Sequence, residues 1–317
     1  MTKTDRPVGV LYEHQVWFEP MFGEFDRRGV PYTRIDANRL CYDPAQTEPP
    51  FDVVVNRMSP SAWMRGNQSA LFSVPSYLSY LEDNGVRVIN GSRSFGFEVS
   101  KARQLALSAQ LGLRHPPARV ITHPGDAVSA AEELRYPVLV KPNIGGSGAG
   151  IASFADPDAL ARAADEGGLE FGPDETALVQ EHLPADGDAV FRMEFLDGEF
   201  LYAIRLLLVP GSFNLCPADY CDLPGIADGV SGRGLAIEAH APPDDVIRDG
   251  ATLLAATGAD VGGVEYLVNA NDGQPYFYDV NALSNFVADA PAIVGFDPSV
   301  NLVDFIVDQL PRSVLVS

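Results

Sequence analysis

The chain has 317 residues, enough for two or three packed units rather than one small core. Hydrophobic residues make up 46% and charged residues 21%, which excludes a disordered chain, and no apolar run approaches the roughly 18 residues that a membrane span needs. A formal net charge of −21 makes nucleic acid and anionic membrane surfaces poor partners.

The start, Met1 to Pro7, is followed by no apolar signal-peptide core, so a cytoplasmic protein is expected. Val8–Tyr12 reads as a short buried strand, Glu19–Arg28 as a helix, and Tyr32–Asp36 and Asp52–Asn56 as further strands. Ser76–Glu82 has apolar residues at helical spacing and stops at Asn84-Gly85, before a fourth strand at Val86–Asn90. This βαβ rhythm predicts a small parallel sheet with helices on its faces. A helix over Ser94–Leu111, with Lys101 inside it, is expected next. Strands follow at Val120–Thr122 and Tyr136–Lys141, around a helix at Ala127–Leu134. Asn143–Gly150 is a glycine-rich loop, and Ile151–Phe154, Pro157–Ala164 and Ala177–His182 read as strand, helix and strand. The remainder reads as antiparallel. Ala189–Leu196 pairs with Glu199–Val209 across Asp197-Gly198, and Val264–Asn269 with Pro275–Val280 across Ala270–Gln274. Between these hairpins lie an irregular stretch, Pro210–Arg233, and a helix near Asp244–Thr257.

Lysine occurs only at Lys3, Lys101 and Lys141, while arginine supplies the other 19 of the 22 basic residues. A compact ammonium suits a point contact to phosphate better than a planar fork does. Lys141 ends a strand, and the loop after it offers backbone N–H groups unhindered by side chains, with Ser147 adding a hydroxyl. The loop lacks the Gly-Lys-Ser/Thr ending of a P-loop, and its place in the chain disfavours a Rossmann turn. Asp279 and Asn281 stand two apart on a strand and share a face. If Glu265 faces the same way from the neighbouring strand, two carboxylates and an amide oxygen converge, a hard-oxygen set that suits Mg²⁺. Cys41, Cys216 and Cys221 do not make a disulfide framework. Cys216 and Cys221, even with His240, fall short of the ligand set of a structural zinc site.

A helix with Lys101, a strand with Lys141, a glycine-rich loop, Val179-Gln-Glu-His-Leu183, then Glu265 and Asp279-Val-Asn281 resembles the ATP-grasp superfamily, in particular bacterial glutathione synthetases and ribosomal-protein glutamate ligases. The resemblance runs from about Asn56 to Asn285. It implies an α/β (α+β) ATP-grasp fold: an N-terminal parallel-sheet domain (1–91), a connecting helical segment (92–122), a lid subdomain (123–184) and a C-terminal antiparallel-sheet subdomain (185–317). It implies ATP and Mg²⁺, two ions, as cofactors, with Lys101 and Lys141 on the α- and β-phosphates. Gly145, Gly146, Ser147 and Gly148 would form the lid over the γ-phosphate. Gln180, Glu181, His182 and Leu183 would meet adenine, mostly through backbone, and Asp188 the ribose. Glu265, Asp279 and Asn281 would hold the metal, Arg205 and Asn214 would stand by the transferred phosphate and acyl group, and Arg57 and Asn285 would face the substrate.

The chain departs from the family at Ser212, where relatives carry a basic residue, at Leu215–Cys221, where they have a small or glycine-rich run, and at Asp279, usually Glu. The implied activity is an ADP-forming carboxylate–amine ligase working through an acyl phosphate on an amino acid or small peptide. Its partners would be small molecules only, with neither nucleic acid nor membrane, in a homodimer or homotetramer. The alternatives are a kinase of the same fold acting on a polyol or polyol phosphate, and a non-catalytic nucleotide-binding module.

Overall fold

A computed structural model describes residues 6–146, 148–208, 236–287 and 289–311. The βαβ rhythm of the N-terminal third produces strands β1 (Val8–Tyr12), β2 (Tyr32–Asp36), β3 (Val53–Arg57) and β4 (Arg87–Ile89), all parallel in the order β2-β1-β3-β4. Helix α1 (Glu19–Arg28) covers one face and α2 (Gln68–Asp83) the other. β1 and β3 are buried along their whole length, which is why they read as unbroken apolar runs. Phe22 and Phe25 of α1 are fully enclosed, each contributing about 1.5–3 kcal/mol by leaving water.

Two helices follow, where the sequence predicts one. α3 (Ser92–Glu98) ends at Val99, and α4 (Lys101–Gln110) begins anew. Ser100 is extended, with φ −154° and ψ 98°, and its hydroxyl accepts the Arg103 N–H as an N-cap. The break places Lys101 in the first turn of α4 instead of mid-helix.

The second sheet contains β5 (Ala118–Ile121), β6 (Val138–Pro142), β7 (Ala152–Phe154) and β8 (Ala177–Glu181), antiparallel in the order β5-β8-β6-β7. The one-turn α5 (Ala127–Ala130) and α6 (Pro157–Asp165) pack on one of its faces. β5, which the sequence reading places in the connecting segment, is an edge of this sheet.

The third sheet is antiparallel, in the order β11-β10-β9-β12-β13: β9 (Ala189–Leu196), β10 (Glu199–Leu207), β11 (Ile237–His240), β12 (Val261–Val268) and β13 (Pro275–Asn281). One face packs on α3, α4 and α7 (Asp244–Thr257) through Phe191, Met193, Phe195 and Val264. The other meets the N-terminal domain and the closing helices α8 (Ala290–Val294) and α9 (Pro298–Asp308), through Val190, Ile204 and Leu206.

Candidate active site

The site is built on β12 and β13. Their register sets Glu265 opposite Asp279 and Gly263 opposite Asn281, with a bulge between Glu265 and Tyr266. The three polar side chains therefore share one face, as the spacing of two predicts for Asp279 and Asn281. Asn281 Nδ2 donates to Glu265 Oε1 at 3.2 Å, leaving the amide oxygen as its uncommitted end. Lys101, brought in by α4, donates from Nζ to Asp279 Oδ1 at 2.6 Å.

Lys141 ends β6 and is 4% exposed. Among the described residues its ammonium makes no hydrogen bond and no close ion pair. Burial, with Lys101's like charge, pulls its pKa down from 10.5 to about 7, and Asp279 and Glu265 oppose that drop. For Lys101, burial also pulls downward, but Asp279, Glu265 and Glu98 together outweigh it and the pKa ends above its ordinary value. Burial and the neighbouring Asp279 raise the Glu265 carboxyl. The two lysines and the metal-ligand candidates thus sense one another's charge, in a place where the protein alone leaves one ammonium unmatched.

The layer beneath comes from β9. Arg192 donates from Nε to Glu194 Oε1 at 2.6 Å, from Nη1 to Glu265 at 3.2 Å and from Nη2 to Ser284 Oγ at 3.2 Å. Gly263 leaves room for this pair: a Cβ there would stand 2.8 Å from Arg192 Nε. Arg57, at the end of β3, donates Nη2 to the Ser284 carbonyl, while its Nε and Nη1 are buried without a hydrogen-bond partner among the described residues. Burial lowers this guanidinium to about 10. Asn285 follows Ser284 and holds its Oδ1 buried and unpartnered.

In the second sheet, the β6–β8 register places Gln180 on the face of Leu139 and Lys141. Gln180 is buried, with Oε1 unpartnered. Glu181 points to the opposite face, where Arg135 holds its carboxylate through Nε at 3.1 Å and Nη2 at 2.9 Å. Its backbone N–H donates to the Pro117 carbonyl at 2.9 Å, so only its backbone carbonyl could serve the adenine contact that the resemblance implies. His182 is exposed and approaches Ser153 Oγ at 3.4 Å, and Leu183 is buried. Asp188 is exposed at the turn into β9, with φ 46°. Gly145, Gly146 and Gly148 follow Lys141, and Gly146 packs toward Ser61, whose Cβ would stand 3.4 Å from an added Cβ.

Arg205 is not brought to this group. It pairs with Phe191 and Glu238 across the sheet, so it lies on the face opposite Arg192 and Glu265. There it donates to the Gly187 carbonyl at 3.2 Å and to Glu238 at 3.5 Å. Ser147 and Asn214 lie outside the described residues, as do Cys216 and Cys221.

The sequence reading assigned no role to Glu98, Gln104, Glu194 or Ser284. The alternation of Arg192 and Glu194 with Phe191, Met193 and Phe195 was the available signal for the last strand pair: two charges on one face of an apolar strand need partners across the sheet.

The donor set fits hard cations and phosphate. Two carboxylates and one amide oxygen suit Mg²⁺, which keeps waters and phosphate oxygens for its other positions. Among the described residues no group of three His, Cys, Asp or Glu side chains is placed to hold a metal. The unmatched Lys141 and the orphaned Gln180 Oε1 suit a polyanion and a purine amino group.

No family model matches the sequence. It is 26% identical over 254 residues to the carbamoyl phosphate synthase large chain of Gemmatimonas aurantiaca, a match covering 74% of this chain and 22% of that one. It is 29% identical over 195 residues to the D-alanine–D-alanine ligase of Citrifermentans bemidjiense, covering 61% of this chain and 59% of that one. The chain thus spans under two thirds of both relatives. Among solved structures, the ATP-grasp ligase PsnB, complexed with a phosphomimetic variant of its minimal precursor, Mg and ADP, superposes with a TM-score of 0.68. The match has 18% identity and covers 97% of this chain and 100% of that one. With its parallel N-terminal sheet and its two antiparallel sheets, the chain has the ATP-grasp fold.

Proposed function

We propose that the chain is an ATP-dependent carboxylate–amine ligase. The observation that carries this reading is the convergence of Lys101 and Lys141 on Glu265, Asp279 and Asn281. Glu265, Asp279 and Asn281 would hold Mg²⁺, two ions in all, which neutralises charge on the phosphates and orients them when bound. Lys101 and Lys141 cradle the triphosphate, and the lid at Gly145–Gly148, with Ser147, covers it. Gln180 offers Oε1 to the adenine amino group, beside the backbone of Glu181, His182 and Leu183, and Asp188 meets the ribose.

A carboxylate is a poor electrophile. Its oxygen attacks the γ-phosphorus and ADP leaves, giving an acyl phosphate. The amine nitrogen then attacks the acyl carbon, the C–O bond to phosphate breaks, and the amine releases a proton. The protein contributes positioning, charge neutralisation and exclusion of water. Arg57, with two unpartnered donors beside Asn285, supports a substrate that brings a carboxylate or acyl oxygen. Arg192, fixed against Glu265, takes the place by the reacting groups that the sequence reading gave to Arg205, and Asn214 remains a proposal of that reading. Amino acids and short peptides supply both functional groups.

Incubation with Mg²⁺, ATP and pools of amino acids and dipeptides tests the reaction. A ligase releases ADP and phosphate in equal amounts, with a product equal in mass to acid plus amine less one water. Transfer of phosphate to a hydroxyl without free phosphate would point to the kinase alternative. Lys141→Ala and Asp279→Ala should each abolish ADP formation while retaining a cooperative unfolding transition. Full activity in both would refute the assignment.

A further inference from the structure

β13 is the edge of the third sheet, and among the described residues its outer edge carries no neighbouring strand. An edge strand presents unpaired N–H and C=O groups that must find other partners. At Phe277 the Arg114 carbonyl accepts the N–H at 2.9 Å, and farther along side chains supply the partners. The Gln104 amide accepts the Val280 N–H on Oε1 at 3.1 Å and donates Nε2 to the Val280 carbonyl at 2.9 Å. One amide thus reproduces the donor and acceptor of an absent strand residue. Two residues on, Glu98 Oε2 accepts the Ala282 N–H and, at 3.3 Å, the Leu283 N–H, while Asn90 Nδ2 donates to the Ala282 carbonyl. These contacts bracket Asn281 and follow Asp279 directly.

Gln104 is 2% exposed and is further fixed by Nε2 to the Phe97 carbonyl at 2.9 Å. It lies three residues after Lys101 on α4, so both side chains leave the same face of the helix. Lys101 then meets the Asp279 side chain while Gln104 grips the next residue's backbone. We propose that Gln104 is a positioning residue of the nucleotide–metal site, setting the backbone of β13 so that Asp279 and Asn281 present their oxygens together and Lys101 reaches the same point. Gln104 touches neither metal nor phosphate, and it acts through Val280. The inference rests on the ligase reading above and adds to it a residue that determines the geometry of the metal ligands.

The test compares wild type, Gln104→Leu and Thr257→Val. Thr257 is also fully buried and makes two local hydrogen bonds at the end of α7, to Leu254 and Ala259 and not to β13. Mn²⁺ binding in the presence of AMP-PNP is followed by electron paramagnetic resonance, and exchange of the Val280 amide hydrogen by NMR. Gln104→Leu should weaken Mn²⁺ about 10-fold or more, the usual effect of losing a group that orients a ligand. It should also speed exchange at Val280. Thr257→Val should lower the unfolding midpoint without changing either readout. Mn²⁺ affinity within twofold of wild type in folded Gln104→Leu, or unchanged Val280 exchange, overturns the proposal. Should Gln104→Leu not fold, Gln104→Glu, which keeps the acceptor for the Val280 N–H but loses the donor, carries the same comparison. Absence of Mn²⁺·AMP-PNP binding in wild type would instead defeat the nucleotide reading, a different outcome from equal binding in wild type and variant.

Discussion

Lys141→Met should make the protein more stable near pH 6 while removing nucleotide binding. The ammonium of Lys141 is buried, has no hydrogen-bonded partner among the described residues, and has a pKa lowered from 10.5 to about 7 by burial and by Lys101. The unfolded chain therefore binds this proton more tightly than the folded one between pH 7 and 10.5, so wild-type stability rises with pH across that window. At about 1.36 kcal/mol per pH unit, the buried charge costs about 5 kcal/mol below pH 7 and nothing above pH 10.5. Methionine is uncharged and of similar length, so it removes this cost throughout. Urea denaturation of both proteins at intervals from pH 6 to 10 gives the difference curve. Its expected form is a stability gain of several kcal/mol in the variant at pH 6, shrinking toward zero near pH 10. A variant less stable than wild type at pH 6, or a difference independent of pH, would refute the reasoning. In the same variant, calorimetric titration with Mg²⁺ and AMP-PNP should give no binding, because the unmatched charge that destabilises the free protein is the one the triphosphate would neutralise.

Glu98 behaves in the opposite sense. Burial and the nearby Asp279 raise its pKa from 4.5 to about 7, so its contribution to stability is full below pH 4.5 and lost as pH rises through 7. Relative to Glu98→Gln, wild type should lose about 3 kcal/mol over that range in urea denaturation at a series of pH values. Arg65→Ala should cost about 3–5 kcal/mol in the same assay, because it strands the buried Glu13 carboxylate, which Arg65 Nε approaches at 3.0 Å and which, among the described residues, keeps only Asn67 as a further side-chain donor. Arg192→Ala should abolish ADP formation, whereas Arg205→Ala, on the far face of the sheet, should change stability by no more than about 0.5 kcal/mol and leave ADP formation within twofold.

The elements that the sequence reveals are those with a strong local period. The buried strands β1 and β3, the hairpin β9–β10 and helix α7 stand where alternation and apolar spacing place them. Lys101 and Lys141 were legible because lysine is almost absent elsewhere, and Asp279 with Asn281 because a period of two needs no tertiary knowledge. Arg205 shows the limit. Residue type and strand location marked it as a candidate, but which face it takes depends on pairing Arg205 with Phe191, a fact of register across a sheet. Gln104 and Asn90 were illegible for a different reason. Each is a single polar residue whose meaning comes from a backbone group about 170 residues away in sequence, and nothing in the local pattern separates it from a solvated side chain. The split between α3 and α4 lies between these cases: Ser100 is a recognisable cap, but the Asn143 side chain that accepts the Ala102 N–H at 2.9 Å comes from the end of β6.

On the proposed function, charge balance at the site explains why metal and nucleotide would enter together. Arg57, Lys101, Lys141 and Arg192 face Glu98, Glu194, Glu265 and Asp279 in one electrostatically connected group, four positive and four negative. That sum is formally zero, so the protein has no surplus of positive charge with which to neutralise a buried triphosphate. The surrounding chain, at a net −21, repels one at long range. A divalent cation carried on the phosphates removes both obstacles, since it reduces the charge that approaches and gives Glu265 and Asp279 a partner stronger than an ammonium. On the proposed function, Asp279 would exchange Lys101 for the cation, and Lys101, released from its 2.6 Å ion pair, would be free to bind phosphate with Lys141. On this argument the Lys101–Asp279 pair stands in for the metal–nucleotide complex in the free protein, which keeps two buried charges matched until that complex replaces both partners at once.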